Sequence, residues 1–202
     1  MIRVLIIFFL TMVLQACITS FDDITNLARN QIFGYAEPVI TAKDIDDSRY
    51  SFMIIRAGNG PYARMILNSY NEGTYEWIST DNERIYTYKG LVVKTVNLKH
   101  NFEIKNYRTF NPQTSEEQHF IINLDNPKLI GAKISLQIKP AVELNLTDIH
   151  PSASRHILIK KIDSIGWETS NSVWFDENQE ILKSSQYIHP FYKQLEFKVY
   201  LK

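Results

Sequence analysis

The sequence predicts a mainly β protein, a single antiparallel β-sandwich or barrel-like domain with a short helix near its N-terminus. Two observations support this prediction. From Tyr50 onward, short runs rich in β-branched and aromatic residues recur about every ten residues. Gly, Pro, Asn and Asp lie between the runs, where they favour turns. This spacing is typical of antiparallel meanders in sandwiches and barrels.

The elements follow in chain order. The helix is predicted after Asp22 and Asp23, which can cap its first turn, and Gly34 can end it. Strands are predicted over residues 50–56, 62–70, 74–80, 84–89, 91–98, 118–124, 132–139, 155–163, 166–175, 180–188 and 194–201. The polar stretch 111–117 is predicted to be a surface loop, because it lacks any apolar periodicity.

The first 16 residues have the parts of a secretory signal: a charged start with Arg3, an apolar run over residues 4–14, and the small residue Ala16. The run is shorter than the roughly 20 apolar residues of a membrane-spanning helix. The ending Leu14-Gln15-Ala16-Cys17 resembles the bacterial lipobox, in which the cysteine is acylated and becomes the new first residue. We therefore expect a removed signal peptide over 1–16, a lipid on Cys17, and one β-rich domain over 17–202. The alternative is an ordinary secretory signal followed by a chance cysteine.

The residues after Cys17 predict the location. Ile18 follows Cys17 directly. In the enterobacterial lipoproteins that this N-terminus resembles, an Asp at that position retains the protein at the inner membrane. The prediction is an outer-membrane lipoprotein whose domain faces the periplasm. Each buried methylene of an acyl chain contributes about 0.8 kcal/mol, so several chains hold the protein firmly.

Composition argues against nucleic acid as a partner and against an internal disulfide. Lys and Arg number 22, equal to Asp and Glu, and removal of Arg3 leaves 21 against 22. Without a basic excess, nucleic acid is not expected as a partner. Cys17 is the single cysteine of the chain, so no internal disulfide can form.

Motifs for metals, cofactors and nucleophilic catalysis are not found. The chain's five histidines show only one loosely spaced pair, His150 and His156; the others are His100, His119 and His189. The acidic run 44–47 lacks the glycine and distal Glu of a calcium loop and is predicted to be a solvated turn. Neither a G-x-S-x-G elbow nor a P-loop occurs. We expect no cofactor and no enzymatic activity. The enzyme alternative is a glycosidase using Glu72, Glu76 or Asp81.

Aromatic residues on consecutive predicted strands form a possible glycan or partner face. Alternation along strands can bring such side chains into one row, and aromatic faces suit both sugar rings and protein interfaces. The candidate face consists of Tyr75, Trp77, Tyr86 and Tyr88. The alternative is that these side chains fill the core of a small β fold.

Several segments resemble a known family. These are NGPYARMIL at 59–67, YEWISTD at 75–81 and GLVVKTVNL at 90–98, with VWFDENQ at 173–179 and SSQYIHP at 184–190 near the C-terminus. In this order they resemble the YjbF/GfcB family of bacterial lipoproteins, in which a W-x-S-x-D strand leads to a hairpin and then to G-R-I-V-K-T-x-G-L. Leu91-Val92 and Asn97 depart from that pattern.

The resemblance implies a largely β, barrel-like fold and a role in making or exporting an extracellular polysaccharide or capsule. It also implies that other polysaccharide-secretion proteins of the envelope, or the polysaccharide itself, are partners besides the outer membrane. The working hypothesis is a non-catalytic accessory or assembly factor. The alternatives are a glycan-binding module that uses strand aromatics and a carbohydrate-active enzyme.

Overall fold

The computed structural model describes residues 34–140, 154–176 and 181–202. The chain divides into two units. The first comprises residues 1–37 with Asn59–Pro61, and its described residues form neither helix nor strand. The second comprises Pro38–Gly58 and Tyr62–Lys202 and contains all the helices and strands given below. Cys17 and most of the predicted 22–34 helix lie outside the described residues. The extent of one domain over 17–202 stays a prediction.

A short helix, α1 (Ala42–Asp47), precedes the first strand. Thr41 caps it: its hydroxyl accepts from the Asp44 amide at 3.2 Å, while the Asp44 carboxylate accepts from the Thr41 amide at 2.8 Å. This reciprocal arrangement is a capping box. The prediction of a turn over 44–47 is therefore wrong: these residues belong to a helix, because the Asp44 carboxylate accepts from the Thr41 amide and so stabilises the helix start.

Twelve strands close into one antiparallel barrel, in which each strand pairs with its neighbours in sequence and β1 pairs with β12. The strands are β1 (Phe52–Ala57), β2 (Ala63–Asn71), β3 (Thr74–Ile78), β4 (Arg84–Tyr88), β5 (Leu91–Val96), β6 (Phe102–Lys105), β7 (Gln118–Leu124), β8 (Leu129–Pro140), β9 (Ser154–Ile162), β10 (Trp167–Phe175), β11 (Ile181–Gln186) and β12 (Leu195–Tyr200). The mainly β prediction is confirmed, and closure decides between sandwich and barrel. Closure also removes free sheet edges, which otherwise template aggregation.

The strand β6 was not predicted from the sequence. It has only four residues, and its pairing with β5 consists of Lys94 opposite Glu103. Its apolar–polar alternation is regular, with Phe102 and Ile104 buried. A segment this short carries too weak a periodic signal to separate from a loop. A 3₁₀ turn, Tyr107–Thr109, follows it.

The interior of the barrel is filled by side chains from all around the wall. Trp77, Leu136, Phe175 and Phe197 belong to one buried cluster. The β4–β5 turn also packs against β10: a Cβ at Gly90 would lie 2.6 Å from Val173. Packing of this kind is usual in barrels whose interiors hold side chains rather than a channel.

A polar network crosses this interior. The Lys160 ammonium donates to Gln186 Oε1 at 2.9 Å and to the Tyr187 carbonyl at 3.3 Å. The Gln186 amide in turn donates to the Gly90 carbonyl at 2.6 Å, and Asn171 Oδ1 accepts from the Tyr187 amide at 2.6 Å. The network ties the β4–β5 turn to β9, β10 and the end of β11, which fixes the chain where it leaves β11.

Candidate functional site

The structure does not bring the four predicted aromatic residues to one exposed face. Trp77 is 0% exposed and points into the barrel, where its indole N–H donates to Thr87 Oγ1 at 2.9 Å. Tyr75 lies on the same face of β3, is half-buried, and stacks on Trp77 with ring centroids 5.8 Å apart. These two residues therefore extend the core toward one end of the barrel.

Tyr86 and Tyr88 alternate with the buried residues of β4 and share its outer face. Tyr88 is nonetheless 7% exposed, because the 3₁₀ turn covers it: its ring meets Tyr107 edge-on at 5.4 Å and its hydroxyl donates to the Arg108 carbonyl at 3.0 Å. Tyr86 stays half-buried. The expectation of a shared aromatic surface is corrected for Trp77 and Tyr88, which are packing residues. A contact of Tyr75 or Tyr86 with glycan or partner stays a prediction.

Tyr86 belongs to a row of polar side chains across the outer face of five consecutive strands. The strand register places Glu76 opposite Tyr86, Tyr86 opposite Lys94, Lys94 opposite Glu103, and Glu103 opposite Asn123. With strands about 4.8 Å apart, this outer row extends for about 19 Å. The row contains charged side chains, a tyrosine and one amide. Tyr86 donates to Glu76, the Lys94 ammonium lies over the Tyr86 ring, and Lys94 donates to Glu103.

Glu76 is the most strongly hydrogen-bonded member of the outer row. Its carboxylate accepts from Ser69 at 2.7 Å, Asn68 at 3.0 Å, Tyr86 at 2.9 Å and Arg84 at 2.9 Å. Partial burial alone would raise the pKa of Glu76, but these donors and the Arg84 charge lower it overall. A carboxylate held ionised in this way is a poor proton donor, so Glu76 lacks the raised pKa that a general acid needs.

The other carboxylates considered for a glycosidase lie at the two ends of β3. Glu72 is in the turn before the strand and pairs with Arg108, while Asp81 is in the loop after it. Glu76 lies on β3 between them, four residues after Glu72 and five before Asp81. A glycosidase needs two carboxylates about 5–10 Å apart, one of them acting as a general acid. The lowered pKa of Glu76 and the ion pair of Glu72 with Arg108 disfavour a pair built on these two residues.

A groove opens where the outer row reaches β6 and β7. Its volume is about 570 Å³, within the range of about 300–1,000 Å³ usual for ligand sites. We call it the β6–β7 groove; its walls come from the β5–β6 and β7–β8 loops and the adjoining strands. The lining residues used below are Asn101, Asp125, Asn126, Pro127, Lys128 and Ile130, together with Lys94, Glu103 and Asn123, which also belong to the outer row.

One side of the groove is fixed by a bonded pair of loops. The Asp125 carboxylate accepts from the Asn101 amide at 2.6 Å, from Asn101 Nδ2 at 2.7 Å and from the Asn126 amide at 2.8 Å. Asn101 also bridges its own loop by bonding both the Leu98 amide and carbonyl. The β5–β6 and β7–β8 loops therefore hold each other in position without a ligand. The sequence analysis did not identify this groove.

No group of three or more potential metal ligands occurs among residues 34–140, 154–176 and 181–202. His150 lies outside the described residues, and His156 contacts Ser154 and the Phe175 ring. His189 is 0% exposed; its Nδ1 accepts from the Phe191 amide at 3.1 Å, so its Nε2 carries the proton of the neutral ring. Burial, followed by the nearby His100, lowers the pKa of His189 and keeps it neutral.

The predicted lipid site, Cys17, and the predicted signal peptide lie outside the described residues. In the part of the chain that the structure describes, no helix combines the length and the apolar character needed to cross a bilayer.

Comparison with known proteins gives consistent matches. Two curated relatives from Escherichia coli (strain K12) are each 26% identical: "Uncharacterized lipoprotein YjbF" over 85 residues and "Uncharacterized lipoprotein GfcB" over 99 residues. The matches cover 42% and 49% of this chain and 40% and 46% of those proteins, so the chain matches less than half the length of either relative.

The crystal structure of the hypothetical lipoprotein YmcC from Escherichia coli (K12) has the same fold. It superposes with a TM-score of 0.62 at 19% identity, covering 81% of this chain and 98% of that one. The family model described as "Group 4 capsule polysaccharide lipoprotein gfcB, YjbF" matches residues 25–199. Because that match covers most of the chain, this protein belongs to the YjbF family of group 4 capsule polysaccharide lipoproteins.

Proposed function

We propose that this protein is a lipoprotein of the periplasmic face of the outer membrane, anchored at Cys17, that acts as a non-catalytic accessory or assembly factor in exopolysaccharide or capsule production and export. The observation that carries the proposal is the family match over residues 25–199. The lipobox-like ending at Cys17 supports the anchor, and Ile18 in place of Asp supports the outer membrane.

The geometry supports a role without catalysis. The glycosidase candidates are spread along β3, and Glu76, held by four donors, has a lowered pKa. The described barrel interior is filled by apolar side chains and the Lys160 network, so a polymer has no path through it. Function is therefore assigned to the outer face and the loops. The groove supports a second candidate, a glycan-binding module, developed in the next subsection.

The test of the process is a quantitative assay of cell-associated and released polysaccharide. A deletion strain is compared with strains complemented by the wild type, by Cys17→Ala and by Ile18→Val as a matched control next to the anchor. We expect the deletion to abolish surface polysaccharide and Cys17→Ala to fail in complementation at normal protein level. Unchanged polysaccharide in the deletion strain, under conditions where the polymer is made, would refute the assigned process.

The test of the anchor is separate. Metabolic labelling with radioactive palmitate should mark the wild type and Ile18→Val but not Cys17→Ala. Separation of the two membranes on a density gradient should place the labelled wild type in the outer membrane, and Ile18→Asp in the inner membrane. Labelling of Cys17→Ala would refute the proposed lipid site.

A further inference from the structure

Several polar groups that line the β6–β7 groove have binding atoms without a partner among residues 34–140, 154–176 and 181–202. Asn123 Oδ1 accepts from the Gly131 amide at 2.9 Å, which leaves both protons of its Nδ2 available. Within the described chain, the side-chain amide of Asn126 and the ammonium of Lys128 form no hydrogen bond or ion pair. These three residues are close neighbours around the β7–β8 turn and offer several donors and one free amide oxygen.

The remaining polar groups of the groove are already committed. Asp125 accepts three hydrogen bonds from Asn101 and Asn126, and Glu103 accepts from Lys94 at 3.2 Å and from Lys105. Partial burial would raise the pKa of Glu103, but the two lysines lower it, so it remains an ionised partner for them. The groove thus combines a fixed, satisfied wall with a free set of amides. Such a wall lowers the conformational cost of binding.

The charge of the groove argues against a polyanion. Its lining contains two positively charged residues, Lys94 and Lys128, and two negatively charged residues, Glu103 and Asp125. A strongly anionic ligand requires a positive excess that neutralises its charges, which this lining does not supply. Amide side chains, in contrast, both donate and accept, as hydroxyl groups do. The lining fits an uncharged ligand rich in hydroxyl groups.

An apolar surface lies beside these amides. Ile130 is 67% exposed at the groove wall, and Pro127 adjoins it. Sugar rings present C–H faces together with hydroxyl edges, so a wall of this kind next to free amides matches both parts of a pyranose. The groove is open to solvent and runs into the outer row, with which it shares Lys94, Glu103 and Asn123. An open track receives an internal segment of a chain, whereas an enclosed pocket would receive an end.

We propose that the β6–β7 groove binds an internal, uncharged segment of a polysaccharide, with the Asn123, Asn126 and Lys128 side chains bonding hydroxyl groups and Ile130 packing on a ring face. This inference rests on the proposed function, because that function supplies the polymer. It specifies which surface meets the polymer, and it replaces the aromatic face predicted on β3 and β4 with a mainly amide-lined one.

The experiment measures binding to the full-length lipoprotein in mild detergent. The probe is a set of short oligosaccharides prepared by partial hydrolysis of the polysaccharide that the producing strain secretes, labelled at the reducing end and followed by fluorescence anisotropy. The test variants are Asn126→Ala, Lys128→Ala and Ile130→Ala. The matched controls are Lys133→Ala and Ile165→Ala, which remove an exposed lysine and an exposed isoleucine outside the groove.

We expect saturable binding that each test variant weakens by about 3- to 10-fold, since one lost hydrogen bond or apolar contact corresponds to about that change in Kd, and that neither control alters. We also expect little change in Kd between about 50 and 300 mM salt, as for an uncharged ligand. Absence of saturable binding, or equal Kd values for test and control variants, would overturn the groove assignment. A steep loss of binding with salt would overturn the assignment of an uncharged segment.

Failure of this inference is distinguishable from failure of the proposed function. If deletion abolishes surface polysaccharide while the purified protein binds no oligosaccharide, the accessory function stands and the groove assignment falls. If the oligosaccharide binds at the groove while polysaccharide is unchanged in the deletion strain, the groove stands and the assigned process falls.

Discussion

Lys160 makes the stability of the barrel depend on pH in a direction set by its burial. Its side chain is 1% exposed, and its hydrogen-bond acceptors are the neutral oxygens of Gln186 and Tyr187. None of the carboxylates that the structure describes forms an ion pair with it. Burial lowers the pKa of Lys160 to about 7 from its ordinary value of 10.5.

The sign follows from proton linkage. Between about pH 7 and pH 10.5 the unfolded chain binds more protons at this residue than the folded chain, so the free energy of unfolding rises with pH in that window. The slope approaches about 1.4 kcal/mol per pH unit. From about pH 6 to pH 9 the expected gain is about 2–3 kcal/mol. Below both pKa values the slope contributed by Lys160 disappears.

The assay is urea unfolding followed by tryptophan fluorescence at several pH values between about 6 and 9, for the wild type, Lys160→Met and Lys161→Met. Lys161 is the matched control, since it is exposed and its pKa is raised by Asp163, outside this window. Groups such as His189 titrate equally in all three proteins, so the difference from wild type isolates one lysine. A constant difference between wild type and Lys160→Met across this range would refute the reasoning.

Three further predictions concern single contacts. Gly90→Ala should lower the unfolding free energy by at least about 2 kcal/mol, because at φ +77° its Cβ would lie 2.6 Å and 2.8 Å from two β10 side chains. Gly166→Ala, which has open space around it, should cost less. Equal costs of the two substitutions in urea unfolding would contradict this prediction. Thr87→Val should cost about 1–3 kcal/mol, since it leaves the buried indole N–H of Trp77 without an acceptor, and an unchanged midpoint would show that this hydrogen bond is not stabilising. Glu76→Gln should reduce the loss of unfolding free energy below pH 4.5. The lowered pKa of Glu76 in the folded protein stabilises the fold above pH 4.5, and this stabilisation is lost as the pH falls through the folded-state pKa. Parallel plots of unfolding free energy against acidic pH for wild type and variant would refute the prediction.

Local pattern was sufficient for most of the strands, but not for the closure of the barrel. Alternation and turn residues predicted strands wherever the apolar run was long enough, and failed at the four-residue β6. Closure depends on β1 pairing with β12, where Arg56 and Glu196 meet across 140 residues of chain. No local periodicity encodes a pairing of that separation, so sandwich and barrel remained equivalent from sequence.

The side-chain environments that matter most also depend on distant segments. Alternation places Tyr86 and Tyr88 on one face, yet only the later 3₁₀ turn at Tyr107 decides that Tyr88 is covered. The run ILIKKI contains two adjacent lysines, and closure decides that Lys160 points inward while Lys161 points out. The Asn101–Asp125 contact joins two loops 24 residues apart, so its wall of the groove leaves no motif in the sequence.

The outer face of β3 to β7 divides into two parts that respond differently to mutation. Members of the outer row, from Glu76 to Glu103, are tied to one another, so replacing one leaves a partner unsatisfied and changes stability. Around the β7–β8 turn, Asn126 and Lys128 have side chains that bond no described residue, so their replacement leaves folding intact. If the Asn126 amide and the Lys128 ammonium served only solubility, the hydrogen-bonded Asn101–Asp125 wall beside them would not be needed. Loss of polysaccharide binding without loss of stability at these two positions is therefore the signature that separates a binding surface from a structural one.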